Sequence, residues 1–251
     1  MDITLIFLYI IIFLYGIVIG SFLNVCIYRI PKQENIAKVR SHCMQCDHQL
    51  KWYELIPLFS YLLQGGKCRV CKNKISVQYP LVELVNGILY IGIFMINGMN
   101  VDSLLYCLLT STLIVLSVID FRTYEIPIGI NYFIMALGVM ETAVHYADWC
   151  NHVIGFFAVS AILYLIIIAT KGRGIGGGDM KMMAVCGLFL GWKEIFLAFF
   201  LGCIIGSAVH IIRMRVTKCD HVLALGPYLS IGVFISMLWG TQWIQWYFGQ
   251  F

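Results

Sequence analysis

Long apolar runs alternate with short polar connections along most of the chain. Eight runs are candidate helices: residues 3–28, 79–96, 104–119, 126–144, 153–170, 180–190, 195–212 and 222–248. Because a helix needs about 20 residues to cross a hydrocarbon core, the pattern predicts an all-α polytopic membrane protein with about eight transmembrane helices. The run at 180–190 is the shortest. The first run is longer than a signal-peptide core of about 7–15 residues, so we expect a retained helix.

One long polar segment, residues 29–78, interrupts this pattern after the first run. A segment of about 50 residues can bury little core of its own and needs another source of folding free energy. We therefore expect three parts: a first transmembrane helix at 1–28, a small extramembrane domain at 29–78, and a seven-helix membrane core at 79–251.

The composition excludes an ordinary soluble domain. Hydrophobic residues make up 61% of the chain and charged residues only 12%, with a mean hydropathy of +0.86. Soluble domains carry about 25% charged residues. The chain has no room for a large soluble catalytic domain, so any catalytic site must be built mainly from the helices. The net charge of +4 is small, and membrane topology explains it better than a nucleic-acid partner does, so we predict no nucleic-acid binding.

The distribution of basic residues predicts the orientation. If the polar segment is cytoplasmic and all eight runs span, 16 of the 17 Lys and Arg residues lie inside and only Lys193 lies outside. If residues 180–190 did not span, 14 would lie inside and three outside. The positive-inside rule therefore favours eight spans with the N-terminus outside.

Two aspartates stand where apolar runs should meet water. Asp120 ends one run in SVIDFRTYEIP, and Asp179 begins another in GIGGGDMKMM. The predicted topology puts both at the cytoplasmic boundary, where ionisable groups are costly and suggest chemistry. If their helices pack together, the carboxyl groups can share one proton, because like charges about 3 Å apart cannot both ionise. The ionised member could take a proton from water while the protonated member polarises a scissile carbonyl, without a metal.

Each aspartate also has a structural alternative. Asp179 follows a glycine-rich stretch at 174–178 and could be an ordinary helix N-cap. Asp120 could pair with Arg122 or Lys181. The glycines have a functional interpretation too, because they allow positive φ and close approach of a partner helix or an extended substrate.

Two C-x-x-C pairs separated by 21 residues lie in the polar segment: Cys43, Cys46, Cys68 and Cys71. Four thiolates in a tetrahedron form a closed structural zinc site. Disulfides are disfavoured because the predicted location is the reducing cytoplasm. Zinc would supply most of the folding free energy, so we expect residues 29–78 to form a cytoplasmic zinc-binding domain. The unpaired cysteines are predicted to be apolar packing residues: Cys26, Cys107, Cys150, Cys186, Cys203 and Cys219.

Together these features resemble the type IV prepilin peptidases, bifunctional leader peptidase and N-methyltransferase enzymes of the GxGD class of intramembrane aspartyl proteases. The resemblance covers almost the whole chain. Besides the cysteine pairs and the Asp120 segment, it includes GSFLNVCIYRIP, WYELIPLFSYLLQGGKCRVC, ISVQYPLVELVNG, GGGDMKMMAVCGLFLGW and LALGPYLSIG. One departure is visible, since Ile128 stands where the family often carries an acidic residue.

The resemblance implies a membrane-bound peptidase with Asp120 and Asp179 as its catalytic pair, built on the core at 79–251. Such an enzyme cuts the leader of a prepilin or pseudopilin after a glycine, at the cytoplasmic face of the bacterial inner membrane. It then N-methylates the new N-terminal residue with S-adenosylmethionine. The implied partners are these substrates, membrane lipid, and a type IV pilus or type II secretion machinery.

The methyl-transfer site is less clearly marked. The GGKC segment resembles the region that the family links to methylation and predicts Gly66 as a cofactor-binding residue. Glu83 is an intramembrane carboxylate and a second candidate for binding S-adenosylmethionine or the amine. The structural alternative for Glu83 is a salt bridge to a Lys or Arg at headgroup level.

Other functions stay open from the residues alone. One is a peptidase without methyltransferase activity. Another is an ion-coupled transporter in which Asp120, Asp179 and Glu83 line a path, although transporter sites usually lie near the midplane. The last is a non-catalytic assembly protein whose zinc domain docks a secretion partner.

Overall fold

Each of the eight predicted runs forms a helix. The computed structural model describes residues 3–172, 174–216 and 223–249. Its α-helices are α1 (Ile3–Arg29), α2 (Phe59–Leu63), α3 (Gln78–Asn97), α4 (Val101–Thr123), α5 (Ile128–Val144), α6 (Trp149–Ala169), α7 (Gly177–Leu190), α8 (Trp192–Val216) and α9 (Gly226–Phe248). Two short 3₁₀ turns cover Trp52–Glu54 and Tyr146–Asp148. Four residues that bear on the sequence predictions lie outside the described residues: Val222, which begins the last predicted run, the basic residues Arg173 and Lys218, and Cys219.

Five of these helices are long and apolar enough to cross a membrane: α1, α3, α4, α8 and α6 with its preceding turn. The apolar helix α5 is shorter, at 17 residues. Helix α7 has 14 residues and reaches about 21 Å, less than a hydrocarbon core of about 30 Å. The all-helical membrane fold is therefore confirmed, whereas the count of eight spans stays a prediction.

The chain divides into two compact units, Met1–Met99 and Asn100–Phe251. In the first unit α3 packs against α1, so the second membrane helix belongs to the same unit as the polar segment. The three-part division at 1–28, 29–78 and 79–251 stays a prediction of functional parts.

Close backbone contact joins α1 to α3 in the first unit. A Cβ atom at Gly16 would lie 2.7 Å from the Cα of Gly87, and one at Gly20 would lie 2.6 Å from the Cα of Glu83. The Asn86 side chain donates from Nδ2 to the carbonyl oxygen of Gly16 at 2.7 Å. Small residues and an interhelical hydrogen bond are what helix pairs need where lipid removes the hydrophobic driving force. The backbone carrying Glu83 is thereby fixed against α1.

Helix α7 is the centre of the second unit. Residues 182–187 are all buried, as expected of a helix that is apolar on every side. Helices α5, α6, α8 and α9 pack around it. Since α5 and α9 also pack against α4, they hold the end of α4, which carries Asp120, next to the start of α7, which carries Asp179.

Replacing Gly16 with alanine should destabilise the protein, because the new Cβ would meet backbone atoms of α3. Overpacking of this kind costs about 1–3 kcal/mol. Thermal unfolding in detergent, followed by circular dichroism, measures the change.

Gly92 in α3 is the matched control, since nothing lies within 4 Å of a Cβ built there. Alanine at Gly92 should be neutral or stabilising by up to about 1 kcal/mol, because alanine favours the helix. Equal effects of the two substitutions would show that the α1–α3 contact is not as close as described.

Candidate active site and metal centre

A polar cavity of about 300 Å³ lies where α4 ends and where α5 and α7 begin. Both aspartates predicted to be catalytic line it, together with the glycines that precede α7. The remaining lining residues are Tyr124, Glu125, Ile126, Ile128, Asn131 and Lys181. The helices therefore bring two residues that are far apart in the sequence into one cavity.

Asp120 occupies the last turn of α4 and is only 5% exposed. The N–H of Gly226, the first residue of α9, donates to its Oδ2 at 3.0 Å. A Cβ at position 226 would lie 2.7 Å from that same oxygen. A side chain at position 226 would displace this carboxylate, so glycine lets the start of α9 approach Asp120 and orient it.

Asp179 is the third residue of α7, and Gly176 is the N-cap. The Gly176 N–H donates to the Asp179 carboxylate, which is how an acid at this position stabilises a helix start. Asp179 is therefore inside the first turn and is not itself the N-cap. Its Oδ1 is buried and has no hydrogen-bond partner among the described residues, and an unsatisfied buried oxygen of this kind calls for an explanation.

The two carboxyl groups are close enough for their charges to interact. Within the described ranges, neither aspartate forms an ion pair with Lys181 or another basic side chain. The ion-pair alternative for Asp120 is therefore wrong. Two buried acids without a basic partner are the arrangement in which one proton is shared.

Asn131 was not singled out by the sequence, although it lines the same cavity. It is 4% exposed, and neither Nδ2 nor Oδ1 has a hydrogen-bond partner in the part of the chain that the structure describes. A helical signal was available, because Asn131 follows Ile128 by three residues and shares its face of α5. Ile128 lies in the cavity wall too, so the departure from the family pattern changes the lining of the cavity.

The four predicted zinc cysteines form one cluster. Their Sγ atoms all lie within 4.8 Å of one another, and those of Cys43 and Cys71 are 3.8 Å apart. Thiolates bound tetrahedrally to zinc at about 2.3 Å are about 3.8 Å apart, so the cluster fits such an ion. The cluster can bind a metal ion through four sulfurs.

The two cysteine pairs use the same turn, position for position. The N–H of Asp47 donates to the Cys43 carbonyl at 2.9 Å, and that of Lys72 donates to the Cys68 carbonyl at 3.0 Å. Both Asp47 and Lys72 have positive φ. In return, the first cysteine of each pair donates its N–H to the residue after that turn: His48 in one pair and Asn73 in the other.

The second turn also prepares one thiol for a metal. The N–H groups of Cys71 and Val70 point at the Cys68 sulfur and lower the pKa of Cys68 to about 6. Because only the thiolate binds a metal, this ligand is ionised at neutral pH. His48 is held by Glu54 at 3.4 Å and is absent from the metal-binding cluster.

Comparison with known proteins identifies relatives of this chain. The family described as bacterial peptidase A24 N-terminal domain matches residues 14–96, and the type IV leader peptidase family matches residues 107–211. The prepilin leader peptidase/N-methyltransferase of Pseudomonas putida is 30% identical over 258 residues, covering 90% of this chain and 89% of the relative. That of Bacillus subtilis is 33% identical over 243 residues, covering 94% and 96%.

The chain belongs to the type IV leader peptidase family. No solved structure matches it significantly. With its apolar helices, it is an integral membrane protein.

In this family member Glu83 is buried on α3, 7% exposed, and lies in the first unit. Its Oε2 accepts the N–H of Leu58 at 2.8 Å, and Ser21 of α1 also hydrogen-bonds to it. No basic side chain lies within 4 Å of it among the described residues. The salt-bridge alternative for Glu83 is therefore wrong.

The backbone that meets Glu83 is strained. Leu58 has φ 60° and ψ −52°, and the N–H of Phe59 donates to the Pro57 carbonyl at 2.6 Å. These values describe the rare γ-turn with positive φ. Strain of this kind persists where surrounding structure enforces it, often at functional sites.

Gly66 lies in the turn that follows α2. It has φ 67°, and a Cβ there would lie 3.0 Å from the Tyr61 hydroxyl. Its N–H donates to the Tyr61 carbonyl at 2.9 Å, and its own carbonyl accepts from Ile75 at 2.7 Å. Helix α2 links the two candidates, because Leu58 precedes it and Tyr61 lies within it.

Among the cysteines outside the cluster, Cys26, Cys107 and Cys186 are buried, as predicted for packing residues. Cys203 is half-buried, and Cys150 is exposed.

Replacing Cys68 with serine should abolish metal retention and destabilise the polar segment, because serine supplies no thiolate. Even a residue that only orients a ligand changes metal affinity by about 10- to 100-fold, so loss of a ligand should cost at least as much. Elemental analysis of the purified protein measures the metal. Cys150→Ser is the control and should keep its metal; normal metal content in Cys68→Ser would contradict the four-sulfur site.

Proposed function

We propose that this chain cuts the leader peptide of prepilins or pseudopilins after a glycine, by a two-aspartate mechanism, and methylates the new N-terminus. The observation that supports this best is the cavity that Asp120 and Asp179 share. Both relatives described above are named for these two activities. Membership of a leader peptidase family favours this function over an ion-coupled transporter or a non-catalytic assembly protein.

In the proposed mechanism, the ionised aspartate takes a proton from a water molecule, whose oxygen then attacks the scissile carbonyl carbon. The protonated aspartate polarises the carbonyl oxygen. The C–N bond of the peptide breaks when the leaving amine receives a proton from a protonated aspartate. Gly226 keeps Asp120 oriented through its N–H, while Asp179 Oδ1 faces no competing partner.

The cavity also offers groups for an extended peptide. Asn131 carries one donor and one acceptor without described partners, and a peptide group presents the complementary pair. Nothing lies within 4 Å of a Cβ built at Gly177, so the backbone at the start of α7 is open to close approach. A glycine before the cut bond would let the substrate adopt the conformation that this cleft requires.

The proposed orientation follows the positive-inside rule. The N-terminus lies outside, and the zinc domain at 29–78 and both aspartates lie at the cytoplasmic face of the bacterial inner membrane. The leader of a prepilin is presented at that face. We propose that zinc occupies the four-cysteine cluster, stabilises this domain structurally, and takes no part in cleavage. The domain also gives a soluble surface for the type IV pilus or type II secretion machinery.

Replacing either Asp120 or Asp179 with asparagine should reduce leader cleavage by at least about 10²–10⁴-fold, the usual contribution of a positioned acid or base. Asparagine keeps the shape of the side chain and cannot supply the carboxyl proton chemistry. The purified protein is incubated with a prepilin, and product masses are read by mass spectrometry.

Asp148→Asn is the control, because Asp148 is exposed and lies in the turn before α6. It should cleave normally. Normal processing by a folded Asp179→Asn protein would exclude the two-aspartate mechanism.

For methylation we propose the region around Glu83, with Gly66 keeping α2 in place. S-adenosylmethionine, when bound, supplies a methyl group on a positively charged sulfur. A buried carboxylate suits such a cation or an amine. Asn24 adds a buried Oδ1 without a partner in the described ranges, while its Nδ2 donates to Tyr79 at 3.1 Å. These residues would bind and orient the reactants and exclude water, which is most of what methyl transfer requires.

Glu83→Gln should leave cleavage nearly unchanged and reduce methylation by about 10- to 100-fold, the effect of losing a charged hydrogen bond of about 1.5–3 kcal/mol. The same mass measurement, with and without S-adenosylmethionine, separates the two reactions. Glu34→Gln, at an exposed position in the same unit, is the control and should change neither cleavage nor methylation. If cleavage and methylation fell together, Glu83 would be a structural residue.

A further inference from the structure

A second cluster of ionisable side chains lies at the other end of the second unit. Asp102 is in the first turn of α4, Glu141 is in the last turn of α5, and His145 is the residue that caps α5. Asp102 and Asp120 stand near opposite ends of one helix, about 27 Å apart at 1.5 Å per residue. The cluster is therefore separate from the peptidase cavity.

The distances within this cluster suit a small metal ion. His145 Nε2 lies 3.2 Å from Asp102 Oδ1 and 3.6 Å from Glu141 Oε1, and the three ligand atoms all lie within 4.8 Å of one another. Nitrogen and oxygen ligands bound to zinc at about 2.0–2.2 Å in a tetrahedron are about 3.3 Å apart. One ion between the three groups would satisfy this geometry with small side-chain movements.

The burial of Glu141 is the independent observation that points to a cation. The residue is 3% exposed, and its Oε2 has no hydrogen-bond partner within the described ranges. No lysine or arginine lies within 4 Å of it there. A buried carboxylate is costly unless it is paired or coordinates a metal.

Negative charge accumulates around this position. The carboxylates of Asp102, Glu141 and Glu194 all act on the hydroxyl of Tyr106. A protonated His145 could pair with Asp102 and Glu141, but it would leave one excess negative charge and the second oxygen of Glu141 unsatisfied. A divalent cation would neutralise both carboxylates and can bind that oxygen.

We propose that Asp102, Glu141 and His145 bind a zinc ion that joins the start of α4 to the end of α5. One imidazole with two carboxylates favours zinc over calcium, which takes six to eight oxygen ligands. The His145 side chain is 44% exposed, so an ion can enter and a water can complete the tetrahedron. This site differs from the four-cysteine cluster in its ligands and in the unit that contains it.

The test measures zinc binding by equilibrium dialysis of the detergent-solubilised protein with its cysteine cluster already loaded. Wild type and Asp148→Asn should bind one zinc ion more than His145→Ala or Glu141→Gln. Added zinc should also raise the thermal midpoint of wild type, whereas calcium should not. Equal zinc content in all four proteins at saturating zinc, or the same shift with calcium, would overturn the proposal.

His145→Lys distinguishes a metal site from an ion pair. Lysine keeps a positive charge beside both carboxylates, so a simple ion-pair cluster would stay stable. The protonated amine cannot bind zinc, so we expect the variant to fold and to lose the zinc-dependent rise in thermal midpoint. A rise equal to that of wild type would show that zinc acts elsewhere.

Discussion

Holding two acids away from water without a basic partner is the constraint on which the second unit depends. Burial of a charged carboxylate is costly, and here backbone N–H groups offset part of that cost. Gly226 donates to Asp120, and Gly176 donates to Asp179. Both donors are glycines because a side chain at either position would crowd the carboxylate. The acids are oriented by rigid backbone, and one buried oxygen of Asp179 is left without a hydrogen-bond partner among the described residues.

The same use of glycine holds the helices together. Gly16 and Gly20 let α1 meet the backbone of α3, and Gly155 and Gly187 do the same for α6 and α7. In lipid, burial of one apolar surface against another gains nothing. The association of helices is therefore stabilised by close packing and hydrogen bonds. This close packing fixes the positions of Glu83 in one unit and of α7 in the other.

The polar segment at 29–78 is stabilised differently, because it is too small to build a hydrophobic core. Two copies of one cysteine turn present four sulfurs at zinc-like spacing, and a metal can replace the missing hydrophobic contacts. Helix α2 lies between the two cysteine turns in the sequence, and Leu58, the residue before it, forms the strained turn whose N–H donates to Glu83.

Much of this protein's fold and candidate site could be predicted from the sequence. Hydrophobic run length predicted the five described helices that are long and apolar enough to cross a membrane, because the spacing of polar residues is dictated by the thickness of lipid. The spacing of Cys43, Cys46, Cys68 and Cys71 predicted one cluster, since tetrahedral geometry constrains local turns. Asp120 and Asp179 stood out because acids are rare at the ends of apolar runs.

Tertiary structure alone decided which distant groups meet. The sequence does not reveal the role of Gly226, because a backbone donor is recognised only by the atom it contacts. For Asn131 the sequence shows only the helix face shared with Ile128, since an unpaired amide is identified by its neighbours across the cavity. The γ-turn at Leu58 and the grouping of Asp102, Glu141 and His145 are likewise products of packing between elements. Sequence determined what each helix is and where acids and thiols occur along it; the fold determined their partners, since contact distances depend on how helices pack and not on their order in the chain.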